Sequence, residues 1–349
     1  MIASSIRPWF AGALLGLFAA LPALAGPMPA DALNSAVAER HLVPAYARLA
    51  TTTAQLQATA EAGCDRQALR DRYREAFLAW QGIQHMRFGP IQVLSRDFRF
   101  QLWPDKRGAI NRHLNALMST PDPATLEPDT FAAGSAAVQG FGALERLLYT
   151  PPPDIDPDWE CRVIGAMTAN LARMARDTLH EWQDGDDAHR LLFADASEGN
   201  DYYDSADELS ARLLNNLHTQ LERVADQKLG RPLGTDPQHA APRRAEGWRS
   251  GLSLDAIREN LAATEALYRI GFQPRVEAAL DAQIVAGFGD ARQRLDALDG
   301  PLDALLADPG GWHRIEAVRE TLAELKLRIG RDLSTALGLP LGFNSLDGD

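Results

Sequence analysis

The segment GFGALERLLY, residues 140–149, places one carboxylate where an apolar side chain is expected. If the segment is helical, its apolar face is formed by Val138, Phe141 and Leu148. Glu145 lies on that same face. A buried carboxylate without a partner costs several kcal/mol, so it must meet a cation, a metal ion or a proton. Glu145 is therefore the first candidate for binding chemistry.

Two arginines are the candidate partners of this carboxylate. Arg87 shares a predicted helical face with Trp80 and Ile83, and Arg249 belongs to a loop that contains aromatic residues. A structural ion pair between Glu145 and one of these arginines is one interpretation. A carboxylate that binds a ligand or a metal ion is the other, and the sequence leaves both open.

Small residues and two long loops surround this candidate in the sequence. Gly140 and Gly142 each cost about 1 kcal/mol in a helix relative to alanine, which predicts that a neighbouring helix or a ligand approaches the backbone there. The loops at residues 87–108 and 242–253 combine arginines with aromatic residues, as binding surfaces often do. These loops add Trp103, Asp105 and Ser250 to the candidates.

The strong catalytic motifs are missing from the sequence. There is no HExxH, no GxSxG, no glycine-rich phosphate loop and no CxxC. Residues 311–316 spell GxHxxE, but the apolar face of that predicted helix contains Ile315 and Val318. His313 and Glu316 then face solvent, and we interpret the spelling as chance.

A period of 3.6 residues dominates the chain, which predicts an all-α protein of about eight main helices joined by long irregular loops. Four helices precede residue 185 and four follow residue 205, so the segment 185–201 is the candidate boundary between two helical bundles, residues 26–195 and 196–349. The predicted helices cover about 31–60 with a bend at Pro44, 66–88, 131–149, 160–183, Leu209 to a stop at Gly230, 253–270, 276–298 and 318–337.

Composition and the N-terminus limit the possible functions. The net charge of -12 argues against binding to nucleic acid or to anionic membranes. Residues 1–25 combine Arg7, a short apolar run and an Ala-Leu-Ala site, which predicts a signal peptide cleaved after Ala25; an uncleaved anchor is the alternative. No later apolar stretch approaches membrane-spanning length, so no transmembrane segment is expected in the mature chain.

Cys64 and Cys161 are the only cysteines. An exported chain carries them into an oxidising compartment, where they can form a disulfide. Two buried, reduced cysteines that pack as small apolar residues are the alternative.

The chain resembles the imelysin family, exported helical proteins associated with bacterial iron uptake and named for a proposed peptidase. The resemblance rests on HLVPAYARLA, YREAFLAWQGIQHMRFGPI, QLWPDKRG, GFGALERLLY, RRAEGWRSGLS and LGLPLGFNSLDGD. It implies two helical domains with the functional site between them, around a GxHxxE motif. Here Gly140 and Glu145 match that motif, whereas Gly142 stands at the position of its histidine.

These observations predict a periplasmic, non-catalytic binding protein linked to iron or other metal uptake. Its cleft would bind a small anionic ligand or a metal ion, and oxygen donors from Glu145 and Asp105 would suit iron or another hard divalent cation. An outer-membrane or periplasmic uptake component is the expected partner. The alternative is a zinc-dependent peptidase, which the missing histidine weakens because a catalytic zinc needs three protein ligands. The candidate ligand-binding residues are Glu145, Gly140, Gly142, Arg87, Trp103, Asp105, Arg249 and Ser250.

Overall fold

The computed structural model describes residues 29–196 and 199–342. The predicted signal peptide lies outside these residues. Within them, every regular element is a helix and no β-strand forms, which confirms the predicted all-α fold class.

The N-terminal half, up to residue 196, contains nine α-helices in the described part of the chain. They are α1 (Ala30–Val37), α2 (Val43–Ala62), α3 (Arg66–Gln81), α4 (Arg96–Phe100), α5 (Ala109–Ser119), α6 (Pro128–Ala133), α7 (Phe141–Tyr149), α8 (Pro157–Gln183) and α9 (His189–Ala194). The C-terminal half, from residue 199, contains α10 (Ala206–Glu222), α11 (Gly230–Leu233), α12 (Ser253–Gly271), α13 (Ala278–Asp296), α14 (Leu302–Ala307), α15 (Pro309–Leu327) and α16 (Ser334–Leu337).

Three π-helical segments join neighbouring α-helices into longer ones. Ala38–Leu42 links α1 to α2, Arg223–Leu229 links α10 to α11, and Arg328–Leu333 links α15 to α16. The first of these segments ends two residues before Pro44, where we predicted a bend. Proline has no backbone N–H for the regular helical hydrogen bond, so a change of helical pattern at this place is expected.

Several predicted helix ends differ from the structure. Helix α3 ends at Gln81 rather than near residue 88. The predicted helix 131–149 is divided into α6 and α7, with non-helical backbone at Gly134 and Gly140. The predicted stop at Gly230 is wrong, because Gly230 has helical dihedral angles and the helix continues to Leu233. It ends before Gly234, whose φ of 67° lies in the left-handed region that favours glycine.

The apolar core is continuous between the two halves of the chain. In the N-terminal half α2 packs on α3 and α8, and in the C-terminal half α15 packs on α10, α13 and α14. Helices α1 and α3 both contact α12, so elements before and after residue 196 share one core. The division into two bundles stays a prediction.

A buried polar cluster also connects the halves. The Lys228 ammonium group donates hydrogen bonds to Gln81 Oε1 and Asn260 Oδ1, both at 2.6 Å, and pairs with Glu246 Oε2 at 2.5 Å. Burial lowers the pKa of Lys228 to about 8, while Glu246 favours its charged form. Because Gln81 ends α3, this cluster attaches the loop at Glu246 to the first half.

Cys64 and Cys161 form a disulfide, with 5.8 Å between their Cα atoms. Cys64 follows the end of α2, and Cys161 lies in the first turns of α8. The covalent bond therefore holds together two helices that also pack along their length.

Candidate functional site

Glu145 lies on α7 and is 4% exposed, so the burial expected from the sequence is present. Its Oε1 atom accepts two hydrogen bonds from Ser250, one from the backbone N–H at 2.9 Å and one from the hydroxyl at 2.7 Å. The Ser250 hydroxyl also lies 3.1 Å from the Gly247 carbonyl oxygen. A hydroxyl has one proton, and the shorter contact to the carboxylate indicates where it points.

The environment of Glu145 acts on its pKa in opposite directions. Burial raises the pKa of the carboxyl group, and this is the largest effect. The two hydrogen bonds from Ser250 and the nearby Arg249 guanidinium lower it. Arg249 acts through space, without a hydrogen bond to the carboxylate. Glu145 is thus held chiefly by the Ser250 loop and not by a direct ion pair.

Glu145 lies at the wall of a cleft of about 630 Å³. The described lining comes from the loop before α5 and the start of α5, from helix α7, and from α11 with the loop that joins it to α12. Of the residues predicted from the sequence, the cleft contains Glu145, Gly142, Trp103, Asp105 and Arg249. Ser250 reaches it through its hydrogen bonds to Glu145.

The charge of the cleft lining is opposite to that of the whole chain. Among the residues that the structure describes, five cationic side chains line it against two carboxylates, in a chain of net charge -12. The local excess of positive charge attracts anions. The cationic residues are Lys106, Arg231, Arg243, Arg244 and Arg249, and the carboxylates are Asp105 and Glu145.

Arg249 and Trp248 form the best defined part of this lining. The Arg249 guanidinium carbon lies 4.4 Å from the centre of the Trp248 ring, and that of Arg243 lies 5.6 Å from it. Both distances fit cation–π contacts. Arg249 Nε is buried and has no hydrogen-bond partner among the described residues. The guanidinium is therefore oriented by the indole ring but retains a free donor.

Asp105 has a structural role at the edge of the cleft. Its two carboxylate oxygens accept hydrogen bonds from the backbone N–H groups of Ala109, at 2.8 Å, and Ile110, at 2.9 Å. These are the first residues of α5, where helical N–H groups lack partners within the helix. Both oxygens of Asp105 are thus engaged by the protein.

Gly140 and Gly142 allow two close approaches beside Glu145. A Cβ atom on Gly140 would lie 2.4 Å from the carbonyl oxygen of Arg99, so no side chain fits there. A Cβ atom on Gly142 would meet Ile110 Cδ1 at 2.9 Å. The end of α4 therefore accounts for the glycine at 140, while Gly142 also lines the cleft.

Arg87 lies apart from the other candidates. It lines a second, smaller cavity, and its nearest carboxylate is Asp97 at 3.9 Å. Sequence reasoning related Arg87 to Trp80 by helical spacing, but α3 ends at Gln81 and that relationship does not exist. Three arginines that line the cleft are absent from the candidates predicted from the sequence. Arg243 and Arg244 belong to the predicted loop 242–253, and Arg231 directly follows Gly230, where a helix end was wrongly predicted.

The residues around the cleft do not suit a zinc centre. Within residues 29–196 and 199–342, no group of three or more His, Cys, Asp or Glu side chains is close enough to bind one metal ion. Gly142 supplies no ligand, and the oxygens of Asp105 already cap α5. A catalytic zinc requires three protein ligands, which this arrangement does not provide.

The comparisons with known proteins agree with this architecture. The family model Imelysin (Peptidase_M75) matches residues 42–329. Iron-regulated protein A from Synechococcus elongatus is 24% identical over 312 residues, which cover 84% of this chain and 82% of that protein.

Solved structures share the fold. An imelysin-like protein from Psychrobacter arcticum 273-4 superposes with a TM-score of 0.72 at 21% identity, over 90% of this chain and 98% of that one. A protein from Parabacteroides distasonis ATCC 8503 gives a TM-score of 0.71 at 15% identity, over 90% and 97% of the two chains. Among the described helices, none is both long and apolar enough to cross a membrane. The family match, which extends over most of the sequence, shows that this chain belongs to the imelysin family.

Proposed function

We propose that the protein is a periplasmic, non-catalytic binding component of iron or other metal uptake, and that its cleft takes a small anionic ligand. The observation that carries the proposal is the excess of cationic side chains around the cleft, with Arg249 Nε lacking a partner among the described residues. Guanidinium groups bind carboxylates and phosphates through paired, charge-assisted hydrogen bonds. The name of the relative from Synechococcus elongatus, iron-regulated protein A, supports the link to iron.

Each part of the site has a distinct role in this proposal. Arg249 and Arg243, ordered on the Trp248 ring, bind the anionic groups of the ligand. Trp103 supplies an apolar wall. Glu145 fixes the Ser250 loop beside α7, because its Oε1 atom accepts both hydrogen bonds from Ser250.

An anionic iron chelate fits this cleft better than a bare metal ion. Iron(III) is a hard cation that prefers oxygen donors, so carboxylate-bearing chelators bind it and the complexes retain negative charge. The protein then recognises the chelator through arginines, and the metal needs no ligand from the chain. In this proposal iron is the cargo and not a resident cofactor.

Calorimetric titration with citrate and with ferric citrate tests the proposal. We expect saturable binding of at least one of them, weakened about tenfold or more by Arg249→Met, since a hydrogen bond to a charged group contributes about 1.5–3 kcal/mol. Arg72→Met is the matched control, because Arg72 pairs with Glu75 on the surface of α3, outside the cleft. Absent binding of both probes, or equal affinities in the two variants, would contradict the proposal.

The same protein preparation tests the peptidase alternative. Purified protein is incubated with zinc and a mixed peptide library, and we expect no cleavage. Cleavage that disappears with a chelator and with Glu145→Gln would establish the peptidase and exclude the non-catalytic role.

Export is a separate part of the proposal and has its own measurement. Cell fractionation followed by N-terminal sequencing should place the mature protein in the periplasm, with Gly26 as its first residue. A cytoplasmic protein that retains Arg7 would contradict export.

A further inference from the structure

The second, smaller cavity, which Arg87 lines, lies beside the main cleft. It measures about 70 Å³, and Gln101 and Trp103 line both this cavity and the main cleft. Its remaining lining comes from the end of α3 and the turn after it, from α4, from the π-helical segment Arg223–Leu229, and from the loop after α11. These residues are Trp80, Gln84, Arg87, Asp97, Phe98, Arg223 and Glu246.

The indole of Trp80 faces this cavity with an unused donor. Trp80 is 3% exposed, and its Nε1 has no hydrogen-bond partner among the described residues. Its ring stacks on Phe100, with 4.9 Å between centroids, so packing fixes its position. Indole N–H groups only donate, and buried ones are normally paired. Trp80 therefore lines the cavity and has an indole N–H that still requires an acceptor.

Two guanidinium groups face the same cavity. Burial and the neighbouring Arg87 lower the pKa of Arg223 to about 10. Asp97 and Glu246 act on Arg223 only through space, without a hydrogen bond. Arg87 approaches Asp97 no closer than 3.9 Å, which is long for an ion pair. Among the described residues, neither arginine has a carboxylate within hydrogen-bond distance.

The charges around the cavity leave a positive excess. Glu246 is neutralised by Lys228, whose ammonium group lies 2.5 Å from its Oε2 atom. Arg87 and Arg223 then face the single remaining carboxylate, Asp97. Among the described lining residues, one positive charge is therefore uncompensated. An anion in this space would gain from both guanidinium groups and from the free indole donor.

We propose that this cavity binds one small oxyanion, held by Arg87, Arg223 and the indole N–H of Trp80. Its size admits a single carboxylate, sulfate or phosphate group and excludes a larger ligand such as the one proposed for the main cleft. The site is distinct from that cleft, because none of its three donors lines the larger space. The inference is independent of the proposed function.

Calorimetric titration of the full mature chain with sodium phosphate, sulfate and acetate tests this site. Each titration is run at constant ionic strength, with chloride as the balancing anion. We expect at least one oxyanion to bind with a stoichiometry of one. Arg223→Met should weaken that binding at least tenfold, and Trp80→Phe, which removes the donor but keeps an aromatic ring, should weaken it several-fold.

Arg72→Met is the matched control, because Arg72 pairs with Glu75 on the surface of α3 and lines neither cavity. We expect the oxyanion affinity to be unchanged in this variant. The proposal is overturned if no oxyanion shows saturable binding, if Trp80→Phe and Arg223→Met both bind as the unmodified protein does, or if only Arg249→Met abolishes binding. Circular dichroism identifies a variant that fails to fold, and the other variant then decides the result.

Discussion

Ser250 donates two hydrogen bonds, from its backbone N–H and from its hydroxyl, to the same carboxylate oxygen of Glu145. The two residues are 105 positions apart in sequence. This contact attaches the loop that carries Arg249 to helix α7, and so it determines one wall of the cleft.

Two substitutions of Glu145, to alanine and to glutamine, distinguish the effect of its charge from its role as the hydrogen-bond acceptor for Ser250. Glu145→Ala leaves the Ser250 backbone N–H without its acceptor and the hydroxyl with only the Gly247 carbonyl oxygen, and we expect a loss of about 1–3 kcal/mol in the free energy of unfolding. Glu145→Gln keeps an oxygen acceptor and removes a buried charge, so its loss should be below about 1 kcal/mol. Urea denaturation at pH 7 measures both values. Equal losses in the two variants would show that the charge of Glu145, and not its hydrogen bonds with Ser250, accounts for its contribution to the free energy of unfolding.

The pair formed by His41 and His85 predicts a loss of stability in acid. Their Nε2 atoms lie 2.9 Å apart in a buried position, and burial lowers the pKa of His41 to about 4. The unfolded chain, with an ordinary histidine pKa of about 6.5, then binds more protons between pH 6.5 and 4. His41 stabilises the fold above this window, and its contribution, on the order of 3 kcal/mol, is lost as the pH falls through it.

Urea denaturation at pH 7 and at pH 4.5 measures this effect. His41→Gln should reduce the difference between the two pH values, since glutamine can hydrogen-bond but does not titrate. The exposed His113 provides the control, and His113→Gln should leave the difference unchanged. A pH difference as large in His41→Gln as in the unmodified protein would exclude this explanation.

The disulfide closes a long loop and should stabilise the fold strongly. Cys64 and Cys161 are separated by 97 positions, and cross-linking a loop of that length lowers the entropy of the unfolded chain by an amount worth about 4–5 kcal/mol. We expect the double variant Cys64→Ser, Cys161→Ser to lose most of this stabilisation in thermal or urea denaturation. A thiol assay should detect free thiols only after reduction. Identical counts before and after reduction would exclude the bond.

Gly140 and Gly165 provide a matched pair of glycine substitutions. A Cβ atom on Gly140 would lie 2.4 Å and 2.5 Å from two backbone carbonyl oxygens, which cannot move as a flexible side chain does. Gly140→Ala should therefore cost about 3 kcal/mol or more. At Gly165, within α8, no atom would lie within 4 Å, and alanine should stabilise the helix by about 0.5–1 kcal/mol. Similar effects at both positions would contradict the packing described for Gly140.

The 3.6-residue periodicity of apolar residues correctly predicted the features that depend on the local sequence. It identified the all-α fold class and the burial of Glu145, and it placed the helices now seen as α8, α12 and α13 to within a few residues. Each of these helices has a sustained apolar face, and burial of that face is what holds it in place.

The partner of Glu145 could not be read from the sequence because it depends on how distant segments pack. The sequence offers Arg87, Arg249 and Ser250 as candidate residues, but their spacing does not show which one contacts the Glu145 carboxylate. Arg87 was related to Trp80 by helical spacing that ends with α3 at Gln81. The clustering of Arg231 with Arg243 and Arg244 likewise requires the fold of a loop.

The buried cluster around Lys228 has a consequence for ligand exchange. Because Glu246 is anchored to Lys228, and through it to Gln81 and Asn260, contacts within the protein hold the backbone close to Arg249 in place. Binding then incurs little entropic penalty for ordering that backbone. Arg243 is held over the Trp248 ring, whereas Arg244 is exposed, so we expect rotamer changes of Arg244, rather than separation of the two halves, to control access to the site.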